Sequence, residues 1–210
     1  GKLLNIEEMR DNDYVITTKE LVQWCQEEGL DLDKITPSKF DSVLGEGTGA
    51  GMIFGNTGGV MEAALRTVYR VLEGKEAPAD FYQLRPVRGL SNRKEAEVTI
   101  AGKKLRVCIL YGTAAAEEFL AEDMNGYHFV EVMTCPGGCI SGAGQPDCGS
   151  VPVSDVVRKK RIQSLYQADE QAERRNSMDN PEIGTIYHEF FKEPLSMLSE
   201  KLLHTTYKRK

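Results

Sequence analysis

"LRVCILYGTAAAEEFLAEDMNGYHFVEVM", from Leu105 to Met133, is the stretch of sequence that decides the fold. Both of its ends are rich in β-branched and aromatic residues, which are typical of strands. The alanine-rich middle predicts a helix that begins with a cap at Thr113. Strand, helix and strand in this order form a βαβ unit, whose two strands run parallel in one sheet. The sequence therefore predicts an α/β fold with a partly parallel sheet flanked by helices.

The rest of the chain extends this unit on both sides. "EAEVTI" and "LRVCILYG" predict a β-hairpin around a tight Ala-Gly turn. Upstream, we predict a strand at Asp13–Thr18, a threonine-capped helix that stops at Gly29, and a short strand near Leu84. Downstream, the sequence predicts mostly helix with breaks at "DNP" and "KEP". We therefore expect an α/β lobe with cofactor loops over residues 1–150 and a helical C-terminal region, 151–210, that packs on the same lobe.

The second strand of the βαβ unit runs into a loop with two cysteines, "EVMTCPGGCISGAGQP". In open α/β sheets, binding sites lie beyond the carboxyl ends of the strands. Cys135 and Cys139 are separated by Pro-Gly-Gly, and Gly137 and Gly138 permit positive φ and a close approach to the backbone. The loop suits an iron–sulfur or zinc site. Spacing alone is equally compatible with two inert cysteines in a tight turn.

A second loop holds seven glycines between Gly45 and Gly59, directly before the amphipathic pattern "VMEAALRTVYRVLEG". Glycines at the start of a helix can bind phosphate. However, no Lys-Ser/Thr pair follows, as a P-loop requires. The apolar residues Met52, Ile53 and Phe54 suit a loop that lines a dry cavity. The interpretation we favour from these residues is close packing of the loop on its helix, with glycines where side chains would not fit.

Composition limits the classes of partner. The chain has 210 residues and a net charge of −6, which argues against a nucleic-acid duplex as partner. No apolar run approaches the roughly 20 residues of a membrane span. Since no signal segment opens the chain, we expect it in the cytoplasm. Its five cysteines are an odd number, so a complete disulfide framework is not expected, and clustered cysteines suggest metal or redox chemistry.

Taken together, "FGNTGGVMEAALR" and "EVMTCPGGCISGAGQP" resemble two signature segments of the iron-only (di-iron) hydrogenase catalytic domain. The segments "DYVITTKEL", "LYQADEQAERRNSMDNP", "IYHEFF" and "LLHTTY" are similar to the same family, so the resemblance covers nearly the whole chain. It implies an H-cluster, in which a four-iron four-sulfur (4Fe-4S) cubane is joined to a di-iron unit and dihydrogen is interconverted with protons and electrons. By motif match, Cys135 would ligate the cubane and Cys139 would bridge the two parts. Met133 and Phe54 would line the pocket of the di-iron unit.

The family pattern also includes two further ligand cysteines, in a Cys-Cys-Pro segment and a Pro-Cys-x-x-Lys segment. Neither segment occurs here, and Cys25, Cys108 and Cys148 match neither. The resemblance therefore implies the C-terminal part of a catalytic domain, left by truncation or by a split gene, whose parent is a ferredoxin- or NAD-linked hydrogenase. We expect this chain alone to bind no complete H-cluster and to be inactive. Its expected partners are the missing N-terminal lobe, for the parent an electron-transfer protein such as ferredoxin, and in isolation a second copy of itself.

Two alternatives stay open at this point. The parent would be a non-catalytic relative of the family, either a sensor or an iron–sulfur assembly factor, if its upstream segments lack the catalytic residues. The chain would instead be a zinc-binding structural module if Cys135, Cys139 and Cys148 shared one metal ion.

Overall fold

A computed structural model of the protein describes residues 13–41, 44–122 and 124–204. In this part the chain divides into two compact units, Gly47–Asn180 and a second one made of residues up to Glu46 and from Pro181 onward. The helices and strands are α1 Thr18–Glu27, α2 Gly49–Met52, α3 Gly59–Glu73, β1 Arg93–Ile100, β2 Lys103–Tyr111, α4 Thr113–Leu120, β3 Phe129–Met133, α5 Asp155–Gln171, α6 Pro181–Ile186 and α7 Met197–Leu203.

The Gly47–Asn180 unit is built on a three-stranded sheet in the order β1-β2-β3. β1 and β2 are antiparallel, and the turn between them, Ala101 and Gly102, has the two positive φ angles that a tight hairpin needs. β2 and β3 are parallel and are connected through α4, which confirms the predicted hairpin and βαβ unit. The fold is therefore α/β with a partly parallel sheet, as the sequence predicts.

The central strand β2 separates two parts of the core. Val107 and Ile109 point to one face and pack in a cluster with Met61 and Leu65 of α3. Cys108 and Leu110 point to the other face and pack with α4 residues, including Phe119. Because side chains alternate along a strand, one apolar run covers both faces, and helices flank the sheet on both sides.

Four local predictions differ from the structure. Asp13–Thr17 is irregular rather than a strand, with Tyr14 91% exposed, because no other described strand pairs with it. Leu84 lies between two 3₁₀ turns and not in a strand. The N-cap of α4 is Gly112 rather than Thr113, since the cap has φ 86, a conformation that favours glycine. The glycine-rich segment also contains more regular structure than a long loop, since it includes α2 and a 3₁₀ turn at Ile53–Gly55.

The other helical predictions are confirmed. α1 begins at a capping box formed by Thr17 and Glu20, as expected for a threonine-capped helix, and Gly29 follows it with φ 67. The C-terminal region is mostly helical up to residue 203 and breaks at the two proline-containing segments, while residues 205–210 lie outside the described part. α5 belongs to the same unit as the sheet, and the predicted boundary at residue 150 stays a prediction. Among the described helices none has the length and apolar character to cross a bilayer.

Candidate cofactor site

The cysteine loop begins where β3 ends and folds back on itself through its own backbone. The N–H of Gly138 donates to the carbonyl of Cys135 at 3.0 Å, and a 3₁₀ turn begins at Cys139. Gly137 and Gly138 have φ angles of 83° and 102°, so the positive φ predicted for both is confirmed. β-carbons at these positions would be strained, which explains the two consecutive glycines.

The glycine loop before α3 packs directly on the cysteine loop. The Thr57 N–H donates to the carbonyl of Gly137 at 3.0 Å. A β-carbon added to Gly138 would lie 2.5 Å from the Gly55 carbonyl oxygen and 2.7 Å from the Thr57 nitrogen. The two signature segments, about 80 residues apart in sequence, therefore form one continuous wall.

Close packing also accounts for glycines elsewhere in this loop. A β-carbon on Gly49 would collide with the carboxylate of Asp169, and one on Gly59 would collide with the carbonyl of Ile53. A β-carbon on Gly58 would meet the carbonyl of Val87. These contacts confirm the interpretation that the glycines permit close approach.

The predicted site residues lie along this wall. Cys135 is partly buried and Cys139 is exposed, and both are free thiols. A β-carbon on Gly142 would lie 3.3 Å from the Cys139 carbonyl oxygen and 3.9 Å from the Cys135 sulfur, so Gly142 packs close to both cysteines. Met133 is partly buried at the end of β3, and Phe54, 45% exposed, directly precedes Gly55 of the packed wall. The structure thus places all four in the two segments that meet, and their roles toward a cofactor stay predictions.

The remaining cysteines do not complete a ligand set in the described residues. Cys148 is exposed, and its sulfur lies 3.4 Å from a guanidinium nitrogen of Arg161. Cys108 is fully buried in β2, and burial raises the pKa of its thiol. No group of three or more His, Cys, Asp or Glu side chains suited to a metal ion occurs in residues 13–41, 44–122 and 124–204. Cubane clusters take four cysteines, so Cys135 and Cys139 fit half of such a site.

Two charged residues behind the wall were missed by the sequence reasoning. The buried carboxylate of Glu131 accepts hydrogen bonds from the N–H groups of Gly58 at 2.6 Å and Met61 at 2.7 Å, and its burial raises its pKa. The ammonium of Lys94 donates to the Thr57 carbonyl at 3.1 Å, and burial lowers its pKa to about 8. The available signal was a single acidic residue in the otherwise apolar strand "FVEVM".

A buried ionic network joins α3 to α5 and was also missed. Arg66 donates to both carboxylate oxygens of Asp169 at 2.8 Å and to Glu62 at 2.7 Å, and all three side chains are fully buried. Arg88 and Arg175 extend the network to Glu62 and Asp169 respectively. The signal was the Glu62–Arg66 pair, whose residues are four apart in a predicted helix and can therefore pair.

Comparisons with known proteins agree with this geometry. The family described as "Iron only hydrogenase large subunit, C-terminal domain" matches residues 4–143, and "Iron hydrogenase small subunit" matches residues 155–210. The chain is 38% identical to iron hydrogenase 1 of Clostridium pasteurianum, over 96% of this chain and 35% of that protein. It is 29% identical to the cytosolic Fe-S cluster assembly factor narfl of Xenopus tropicalis, over 95% of this chain and 42% of that protein.

The fold is also similar to that of a solved structure. The [FeFe]-hydrogenase HydA(deltaEFG), from a study of stepwise H-cluster assembly, superposes with a TM-score of 0.75 at 32% identity, over 99% of this chain and 58% of that one. The chain thus spans about a third of iron hydrogenase 1 and little more than half of this solved chain. By its match to the family model over residues 4–143, the chain belongs to the iron-only hydrogenase large-subunit family.

Proposed function

We propose that this chain is the C-terminal part of the catalytic domain of a cytoplasmic iron-only hydrogenase. The whole protein would interconvert dihydrogen with protons and electrons and exchange those electrons with ferredoxin or a nicotinamide carrier. The observation that carries this proposal is the direct packing of the glycine loop on the cysteine loop, through the Thr57 N–H and the Gly137 carbonyl. Both family signatures meet there, at the carboxyl end of a parallel strand.

The residues of this chain would hold one side of an H-cluster. Cys135 would bind the cubane, and Cys139, which is more exposed, would bridge to the di-iron unit. Met133 and Phe54 would exclude water from that unit. When bound, the cluster supplies the iron chemistry and the electron transfer. The backbone N–H groups of such a loop can tune a bound cluster.

Two thiols cannot hold a cubane with ordinary affinity, so we propose that the chain alone is inactive and that an N-terminal lobe completes the site. The test is anaerobic reconstitution of the 210-residue chain and, in parallel, of a longer protein that includes the upstream cysteine segments. We expect hydrogen-dependent dye reduction from the longer protein only. Dye reduction by the short chain alone would contradict its assignment as a fragment.

A second candidate is an iron–sulfur assembly factor or a sensor of the same family. It is favoured by the similarity to the Xenopus assembly factor over 95% of this chain. A longer protein that binds iron yet shows no hydrogen-dependent dye reduction would support this candidate. If the purified chain instead held one zinc ion and no iron, a structural zinc module would be the better assignment.

A further inference from the structure

A row of three residues crosses the sheet behind the cofactor wall. Lys94 of β1 pairs with Ile109 of β2, and Ile109 pairs with Glu131 of β3. Paired residues on neighbouring strands point to the same face of a sheet. This face is the one that packs on α3, since Ile109 belongs to the same cluster as Met61 of that helix. A cation and an anion therefore flank one apolar side chain and face the start of α3.

Both charged side chains reach the same peptide group. Lys94 Nζ donates to the Thr57 carbonyl at 3.1 Å, and the Gly58 N–H, which belongs to the same peptide, donates to Glu131 at 2.6 Å. The second Glu131 oxygen accepts from Met61, and Lys94 also reaches the Thr57 hydroxyl at 3.3 Å and the Gly89 carbonyl at 3.2 Å. The charges match the two ends of the peptide dipole, so the pair fixes both its position and its direction.

The clamped peptide directly follows the peptide that joins the two loops. Thr57 donates its N–H, which belongs to the preceding peptide, to the Gly137 carbonyl of the cysteine loop. Gly58 has φ 89, and a β-carbon added there would collide with the Val87 carbonyl oxygen. A rotation of the clamped peptide would break its hydrogen bonds to Lys94 and Glu131 and would release Thr57, whose N–H holds the cysteine loop. The position of the cysteine loop relative to the glycine loop thus depends on the two charged side chains behind them.

We propose that Lys94 and Glu131 are positioning residues that hold the Thr57–Gly58 peptide and thereby set the geometry of the Cys135–Cys139 loop for its cluster. Neither side chain touches the thiols. The role toward a cluster rests on the proposed function, whereas the clamp itself does not. Both residues belong to the 210-residue chain, so the clamp can be measured in this chain without any cofactor.

The first arm of the test measures amide hydrogen exchange in the 210-residue chain. Glu131→Gln replaces one acceptor by an NH₂ donor, and Lys94→Met removes the donor while keeping much of the apolar stem. We expect the Gly58 and Met61 amides in Glu131→Gln, and the Thr57 amide in both variants, to exchange at least about tenfold faster. The matched control is the exposed pair on the same hairpin, Glu97→Gln and Lys104→Met, which should leave these amides unchanged.

The second arm uses the whole hydrogenase proposed above and measures iron content and the paramagnetic resonance signal of the reduced cluster. We expect both clamp variants to retain less iron and to shift that signal, while Leu65→Ala, a destabilising change in the core, leaves the signal of the loaded protein unmoved. Unchanged exchange in the first arm would overturn the clamp. Faster exchange with unaltered iron content and signal would overturn the positioning role. If the unmodified whole protein binds no iron, the proposed function fails together with that role, and exchange alone decides the clamp.

Discussion

Removing the charge of Asp169 should strongly destabilise the unit that contains the sheet. Asp169 accepts two hydrogen bonds of 2.8 Å from Arg66 and another from Arg175, and its side chain is fully buried. Asp169→Asn keeps the shape but replaces one acceptor by a donor that faces a guanidinium. Arg66 and Arg88 would then share the single carboxylate of Glu62, and Arg175 would lose its carboxylate partner.

The expected magnitude follows from this geometry. Loss of one partner from a buried ion pair costs about 3–5 kcal/mol, because the other charge stays buried without compensation. Arg175 is partly exposed and can turn toward water, whereas Arg66 is fully buried and cannot. We therefore expect a loss near the lower limit, about 3 kcal/mol. That is a large share of the roughly 5–15 kcal/mol by which domains are stable.

The assay is urea denaturation at pH 7, followed by far-ultraviolet circular dichroism. Tryptophan fluorescence is unsuitable because the single tryptophan, Trp24, lies in the other unit. Glu97→Gln serves as the control, since its ion pair with Lys104 is exposed to solvent and should contribute little to stability. The double change Arg66→Met with Asp169→Leu removes both charges and should cost less than Asp169→Asn alone.

A loss below about 1 kcal/mol in Asp169→Asn would refute the reasoning, because it would show that the network is solvated or dispensable. A double variant whose cost equals the sum of its single changes would refute it as well, since buried partners must be coupled. Acid gives a further check. Burial of the Asp169 carboxylate by itself would raise its pKa. The hydrogen bonds from Arg66 and Arg175 outweigh this effect and hold the pKa of Asp169 below its usual range. Its contribution is thus present at neutral pH and is lost as the pH falls through that lowered value.

Three further outcomes follow from the site. Gly138→Ala should lower the free energy of unfolding by about 2–3 kcal/mol in the same assay, because Gly138 has φ 102 and the new methyl group would lie 2.5 Å from the Gly55 carbonyl oxygen. Gly142→Ala, the comparison, should lower it by about 1 kcal/mol or less. Burial lowers the pKa of Lys94 to about 8, so between about pH 8 and 10.5 the unfolded chain binds a proton that the folded protein has lost. The stability of the protein relative to Lys94→Met should therefore rise over this range, by up to about 1.4 kcal/mol per pH unit. A difference that does not change with pH would contradict this. In the whole hydrogenase, Cys139→Ser should abolish hydrogen-dependent dye reduction, whereas Cys148→Ser should preserve it; equal losses would place Cys148 in the site.

Several features were predictable because they depend on neighbours in sequence. The segments "LRVCILY" and "YHFVEVM", rich in β-branched and aromatic residues and separated by a helical stretch, are sufficient to predict a βαβ unit. The Ala101–Gly102 turn and the Thr17–Glu20 capping box are likewise local. The segment at Tyr14 does not form the predicted strand, because a strand needs a paired neighbour, and propensity does not provide one.

The sequence by itself determined the sheet, the flanking helices, the family and the cysteine loop, since these depend on periodicity and on motifs of a few residues. Only the tertiary structure decided how the two signature loops meet. The Arg66–Asp169 pair is 103 positions apart, and the Lys94–Ile109–Glu131 row exists only through the register of three strands. A buried charge is costly unless another group pairs with it. The partner that is available is the one that folding places next to it. No local pattern specifies that partner.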